Sequence, residues 1–227
     1  MEINCFIFAR GGSKGIKNKN IKTFGGKPLI AHSIDLAKGI PNVRNIFVSS
    51  DSSKILKISE QLNIQVIVRP KTLAGDKSPE IDAWKHAISF VESKNKERDY
   101  FLSLPPTSPL RKKKYIIEAI NKLKNSKSLD GVVGICASNH HPSFNMVKIQ
   151  NNSINILDSS RQINRRQDFD PVYNLTTNFY LFKTSYLLKA DSFLQGKIGF
   201  VVVDKESAID IDDEYDFKFA ELIYNSN

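Results

Sequence analysis

The chain has 227 residues, 41% of them hydrophobic, and 33 Lys and Arg against 24 Asp and Glu give a formal net charge of +9. That length fits a single α/β domain over residues 1–227 with a sizeable core. No apolar run approaches the roughly 20 residues that span a bilayer, so no membrane partner is expected. Ile3–Ala9 lacks the basic lead-in and cleavage site of a signal peptide. Cys5 and Cys136, both in apolar runs, read as reduced core thiols, and a cytoplasmic protein is expected.

The first element is an apolar strand over Ile3–Ala9, of the kind buried in parallel sheets. It runs into a loop carrying Arg10, Gly11, Gly12, Ser13, Lys14, Gly15, Lys17 and Lys19. Glycines let the backbone approach a bulky ligand, and successive N–H groups can form an anion nest. Arg10 adds a planar donor fork, while Lys14 and Lys19 add point charges suited to phosphate oxygens. The loop is neither G-x-x-x-x-G-K-[ST] nor G-x-G-x-x-G. Its cations, with Lys22, favour a small polyanion such as a triphosphate. No helix-turn-helix, zinc finger or RNA-binding aromatic motif accompanies them, and no nucleic-acid partner is expected.

A helix is predicted over Lys27–Lys38, with Pro28 near its start and Gly39 at its end, a strand at Ile46–Val48, a helix over Ser53–Leu62 and a strand at Ile64–Val68. Asp51 or Ser52 is placed to cap the second helix. The alternation implies a parallel sheet wrapped by helices. Arg69 leaves the third strand, placed either for an anion or for an Arg–Asp pair that pins its loop. A helix over Glu80–Ser93 puts Ile81, Trp84, Ala87, Ile88 and Val91 on one face.

Tyr100–Leu104 is a strand opening into the stiff turn Pro105-Pro106-Thr107-Ser108-Pro109-Leu110-Arg111. Lys112, Lys113 and Lys114 read as a solvated charge run at the start of a helix reaching Asn125. Gly131–Ala137 is another buried strand. His140-His141 lacks further ligands at metal spacing. Phe144–Ile149 and Ile154–Leu157 pair as a hairpin around Gln150–Ser153, followed by the basic segment of Arg161, Arg165, Arg166 and Gln167. After a last strand at Phe200–Val203, Asp210 and Asp212 stand two apart, so in an extended chain both carboxylates project from one face, about 7 Å apart. That suits Mg²⁺, which takes one or two carboxylates plus phosphates and water. Asp213 and Glu214 begin a final helix.

Together, Ala9-Arg10-Gly11-Gly12-Ser13-Lys14-Gly15-Ile16 with Lys19-Asn20, Arg69-Pro70-x-x-Leu73, Thr107-Ser108-Pro109-Leu110-Arg111 and Ile209-Asp210-Ile211-Asp212 resemble the acylneuraminate cytidylyltransferases. The resemblance implies a Rossmann-like three-layer α/β/α fold with a mostly parallel sheet, similar to nucleotide-diphospho-sugar transferases. It also implies a homodimer using an extension over about residues 140–180. The substrates would be CTP and a nonulosonic acid, a nine-carbon 2-keto-3-deoxy acid sugar, joined with release of pyrophosphate. Arg10, Lys19 and Asp212 would be catalytic. Arg10, Gly11, Gly12, Ser13, Lys14, Lys19, Asn20 and Arg69 would bind nucleotide, and Asp210 and Asp212 would hold Mg²⁺ or Mn²⁺. Pro105, Thr107, Ser108, Arg165, Gln167, Thr176 and Thr177 would face the acceptor.

The chain departs from the family pattern on the acceptor side. Pro105 stands where the family has Gln, Asn174 where it has Arg, and Thr176-Thr177 where it has Asn-Gly. Changes there, with the nucleotide loop intact, imply an acceptor other than N-acetylneuraminate, of the legionaminate or pseudaminate kind. Two alternatives stay open: a 3-deoxy-manno-octulosonate cytidylyltransferase, and a non-catalytic nucleotide- or nucleic-acid-binding module.

Overall fold

A computed structural model of the chain describes residues 1–75, 78–91, 99–160 and 170–226. The chain runs β1 (Ile3–Phe8), a small ribbon of β2 (Thr23–Phe24) and β3 (Lys27–Pro28), α1 (Leu29–Lys38), β4 (Val43–Ser50), α2 (Ser53–Gln61) and β5 (Gln65–Val68). It continues through α3 (Glu80–Ser89), β6 (Tyr100–Ser103), α4 (Lys113–Asn125), β7 (Gly131–Ala137) and a hairpin of β8 (Val147–Gln150) and β9 (Ser153–Ile156). The last elements are β10 (Tyr173–Lys183), α5 (Thr184–Leu187), β11 (Ile198–Val202) and α6 (Glu214–Ser226).

Seven strands form one sheet in the order β11-β7-β10-β6-β1-β4-β5. Every pairing is parallel except those of β10, which runs antiparallel between β6 and β7. The alternation along β1 separates two cores. Ile3, Cys5 and Ile7 pack with Ile30 and Ile34 of α1 and Ile116 and Ile120 of α4. Phe6 points the other way, onto Phe47, Phe101, Trp84 and Phe182. Phe6 stacks on Phe47 and Phe101 at 5.3 and 5.0 Å between ring centroids, and Trp84 lies 5.0 Å from Phe101. Aromatic pairs of this kind contribute about 0.5–1.5 kcal/mol each beyond their buried area. The expected three-layer α/β/α architecture is therefore present.

Several local expectations are corrected. Tyr173–Lys183 is the longest strand of the sheet, yet its polar start hides it in sequence; its end, Phe179-Tyr180-Leu181-Phe182, is buried on both faces as a central strand must be. Lys112 is not simply solvated, because it pairs with Asp204 and Glu206 at 2.7 and 3.1 Å. Neither Asp51 nor Ser52 makes a side-chain cap on α2; Asp51 is committed elsewhere. Cys5 and Cys136 are buried free thiols, as expected. In the β8–β9 hairpin, Asn151 and Asn152 take φ of 50° and 61°, the left-handed pair of a tight hairpin turn.

Candidate active site

The parallel strands β1, β4, β5 and β6 release their loops at one edge of the sheet, and reversed β10 brings its early residues to the same edge. There a cleft of about 540 Å³ opens. Arg10, Ser13, Lys14, Lys19, Asn20, Arg69, Pro105, Thr107, Thr177 and Asp212 line it together. Carboxyl ends of strands in open α/β sheets are where ligands bind.

The glycine loop is held from several sides. The Asn20 side-chain amide donates to the Arg10 carbonyl at 3.0 Å, after Asn18 turns the chain with a φ of 55°. Gly11 gives its N–H to Asp51 Oδ1 at 2.9 Å, and a Cβ on Gly11 would stand 2.9 Å from that of Ser52. Gly12 has open space around it. Neither of these two glycines lines the cleft. Asp51 also lies 3.8 Å from Arg69 Nη2, so the Arg–Asp pair does form, with a partner that immediately follows β4. Burial lowers the Arg69 pKa, with Asp51 opposing and Arg10 adding to the fall.

Against the loop, with Gly15 close on the Asp212 carbonyl, runs Asp210-Ile211-Asp212, of which Asp212 lines the cleft. The Ile211 N–H donates to the Thr107 carbonyl at 2.8 Å, which ties the run to the proline-rich turn. Burial raises the Asp210 pKa and Asp212 adds to it, while the Thr107 and Thr177 hydroxyls and Lys19 oppose the rise. Asp210 Oδ1 is buried without a hydrogen-bond partner. Asp212 is 79% exposed on its side chain, with Lys19 Nζ at 3.4 Å. Lys19 also donates to the Ile211 carbonyl. Asp213 caps α6 by accepting the N–H groups of Tyr215 and Asp216 at 2.8 and 3.0 Å.

The residues expected to face the acceptor divide. Thr177 and Thr107 face the cleft, and Ser108, buried, bonds Thr177 hydroxyl to hydroxyl at 2.8 Å. Thr176 instead donates to the Gly134 carbonyl at 2.9 Å, towards β7. Arg165 and Gln167 lie outside the described residues. Arg111 anchors this wall from inside the core. Its guanidinium donates to the Asn178 carbonyl at 2.6 Å, to Ser33 Oγ at 2.8 Å and to the Pro105 carbonyl. Complete burial pulls its pKa down to about 9.

Sequence reasoning missed Phe8, Glu80 and Tyr180, which also line the cleft. Glu80 looks in sequence like any acidic residue in a first helical turn. Tyr180 was obscured with its strand.

A cleft that gathers a cationic glycine loop and Asp212 at the carboxyl edge of a sheet of this order defines a nucleotide-binding α/β protein. A family model described as cytidylyltransferase matches residues 4–219, and the chain belongs to that family. It is 32% identical to post-translational flagellin modification protein B of Campylobacter coli over 98% of this chain and 94% of the relative. It is equally identical, over the same shares, to CMP-N,N'-diacetyllegionaminic acid synthase of Campylobacter jejuni. A solved structure of CMP:2-keto-3-deoxy-manno-octonic acid synthetase complexed with CTP matches with a TM-score of 0.77 over 100% of this chain and 99% of that one; at 14% identity this is a likeness of fold.

Proposed function

We propose that this cytidylyltransferase transfers CMP from CTP to the anomeric oxygen of a nonulosonic acid, with a legionaminic-type sugar as its acceptor. The observation that carries the reading is the placement of Arg10, Lys14 and Lys19 along one cleft with Asp212, in a chain whose curated relative acts on diacetyllegionaminic acid. The departures at Pro105, Asn174 and Thr176-Thr177 lie on the acceptor side of that cleft or in the strand behind it.

In the transfer, the sugar's anomeric hydroxyl oxygen forms a bond to the α-phosphorus. The bond from that phosphorus to the bridging oxygen breaks, pyrophosphate leaves, and the hydroxyl proton is lost. Such transfers depend on positioning and on stabilising charge rather than on covalent help from the protein. Arg10, Ser13, Lys14 and Lys19 hold the triphosphate and stabilise the departing pyrophosphate. Asn20 fixes the loop through the Arg10 carbonyl. Thr107 and Thr177 present hydroxyls to the acceptor, and Ser108 orients Thr177.

The unpartnered Asp210 Oδ1 and exposed Asp212 fit a hard divalent cation such as Mg²⁺ or Mn²⁺. When bound, that ion would supply Lewis-acid stabilisation of phosphate charge.

The enzyme works as a homodimer through the β8–β9 hairpin. All of β8 and most of β9 are exposed, including Ile149 at 79% and Ile154 at 71%. A two-stranded hairpin is marginal alone in water, so this one needs a partner surface. A second copy is the commonest such partner.

The test is pyrophosphate release from CTP with Mg²⁺ and a panel of nonulosonic and octulosonic acids. Release is expected with a legionaminic acid, at a kcat/KM above that for N-acetylneuraminate. A preference for N-acetylneuraminate would refute the acceptor, and silence without CTP binding would refute the activity.

A further inference from the structure

The part of the cleft over β4 and β5 is built differently from the part that gathers cations. Of the described residues from Arg69 to Ala83 that line it, only Arg69 and Glu80 are charged. The Arg69 side chain is 7% exposed, and its Nε and Nη2 have no hydrogen-bond partner. Glu80, the first residue of α3, is exposed as a residue and its carboxylate attracts the guanidinium; burial raises its pKa, while the Trp84 indole and the Arg69 charge oppose the rise. The Trp84 indole N–H approaches that carboxylate without closing a hydrogen bond of normal geometry. The nearby Ser78 hydroxyl is already committed to the Thr72 carbonyl at 2.6 Å.

Acidic residues in a first helical turn commonly serve only the helix dipole. Both Glu80 and Asp82 occupy the first turn of α3, yet only Glu80 lines the cleft. Doubly wound sheets seat a nucleotide over their first βαβαβ half, which here is β1, β4 and β5. With the phosphates gathered by Arg10, Lys14 and Lys19, the base is left with the arm that ends at Arg69 and Glu80.

The hydrogen-bonding edges of the pyrimidines then decide the match. Cytosine presents an amine donor beside two acceptors, whereas uracil presents a carbonyl acceptor where cytosine has its amine. An ionised carboxylate only accepts and a guanidinium only donates. We propose that Glu80, beside Arg69, is the specificity residue that selects cytosine, accepting the exocyclic amine while the guanidinium serves the acceptor side of the ring. Uracil sets its carbonyl against the Glu80 carboxylate and is rejected. This inference rests on the cytidylyltransferase reading and adds the residue that chooses the base.

The experiment compares pyrophosphate release from CTP and UTP, with one fixed nonulosonic acid, by the wild-type enzyme, Glu80→Gln, Glu80→Ala and Asp82→Asn. Direct titration of each protein with CTP and with UTP runs alongside. The wild type is expected to prefer CTP strongly. Glu80→Gln and Glu80→Ala are expected to shrink the CTP/UTP ratio of kcat/KM by about 10-fold or more, the scale of one lost base contact. Asp82→Asn, which shares the helix turn but not the cleft, is expected to keep the ratio. A ratio that moves less than about 2-fold in both Glu80 variants, or moves equally in Asp82→Asn, overturns the proposal, as does a wild type indifferent to the base. Should a Glu80 variant lose turnover, its two nucleotide affinities decide by the same ratio. A wild type that releases no pyrophosphate from CTP with any acid, while binding CTP over UTP through Glu80, would refute the transfer reading and leave this one standing.

Discussion

Gly15 lies flat against the backbone carbonyl of Asp212, so closely that a Cβ at position 15 would overlap the carbonyl oxygen. The contact joins the glycine loop after β1 to the acidic run that precedes α6, almost 200 residues later in the chain. Gly15→Ala is expected to push the two apart. Misplacement on the order of 1 Å can cost 10²-fold in rate, and a loss of about that size in kcat/KM is expected while circular dichroism shows the fold retained. Wild-type turnover by this variant would show that the contact is dispensable.

Asp212→Ala should separate function from stability. The side chain is 79% exposed and its Lys19 partner lies at 3.4 Å, a weak surface pair. Thermal unfolding is therefore expected to stay within about 0.5 kcal/mol of wild type, as is usual for surface positions. Turnover is expected to vanish. Unchanged turnover would remove Asp212 from both of its assigned roles.

Arg111→Lys tests the inner support of the acceptor wall. Lysine cannot reproduce a planar fork that serves the Asn178 and Pro105 carbonyls and Ser33 together. Each buried acceptor left unpaired costs about 1–3 kcal/mol, so denaturant melts should show a loss of at least that size. The KM for the acceptor sugar should rise more than the KM for CTP.

The nucleotide half of the molecule was the legible half. β1, its glycine loop and the β4 and β5 strands follow from local pattern, because an apolar run feeding glycines and cations has few other uses. Asp51 was not legible. In sequence it sits where a helix cap belongs, and only the fold brings Gly11, forty positions earlier, to its carboxylate. β10 was hidden for a related reason: Asn174, Thr176, Thr177 and Asn178 look like loop residues, yet Thr176 and Asn178 are buried and paired with groups on other elements. Long-range partners of polar side chains leave no periodic trace in a sequence. Glu80 shows the same limit, since first-turn acids are alike until a cleft forms in front of one of them.

Stability should also fall on the acid side through His32. Burial lowers its pKa from the ordinary 6.5, the Lys27 charge adds to this, and the Phe24 carbonyl and Asp35 oppose it. Nε2 lies 2.9 Å from that carbonyl, between the rings of Phe24 and Tyr224. Below pH 6.5 the unfolded chain takes up the proton before the folded one, so this stability is complete above 6.5 and drains away as pH falls from there. His86, also lowered by burial, acts in the same direction. Urea melts at pH 7.5 and 5.0 should show a smaller acid loss in His32→Gln than in wild type; equal losses would exclude His32.

Ile149→Asp places a charge on the most exposed large apolar side chain of the hairpin. Sedimentation velocity is expected to show a dimer for wild type and a monomer for the variant. A dimer that survives the charge would move the interface elsewhere.

The reversed direction of β10 has a consequence for descent. A parallel strand delivers to this edge the loop that follows it, but β10 delivers residues at its own beginning, with Thr177 entering the site before the strand dives under the aromatic core. The nucleotide-side loops and the wall proposed to face the sugar are thus written in separate stretches of the gene. Mutation can rewrite one while the other stands, so a lineage can trade one sugar for another without rebuilding the machinery that activates it.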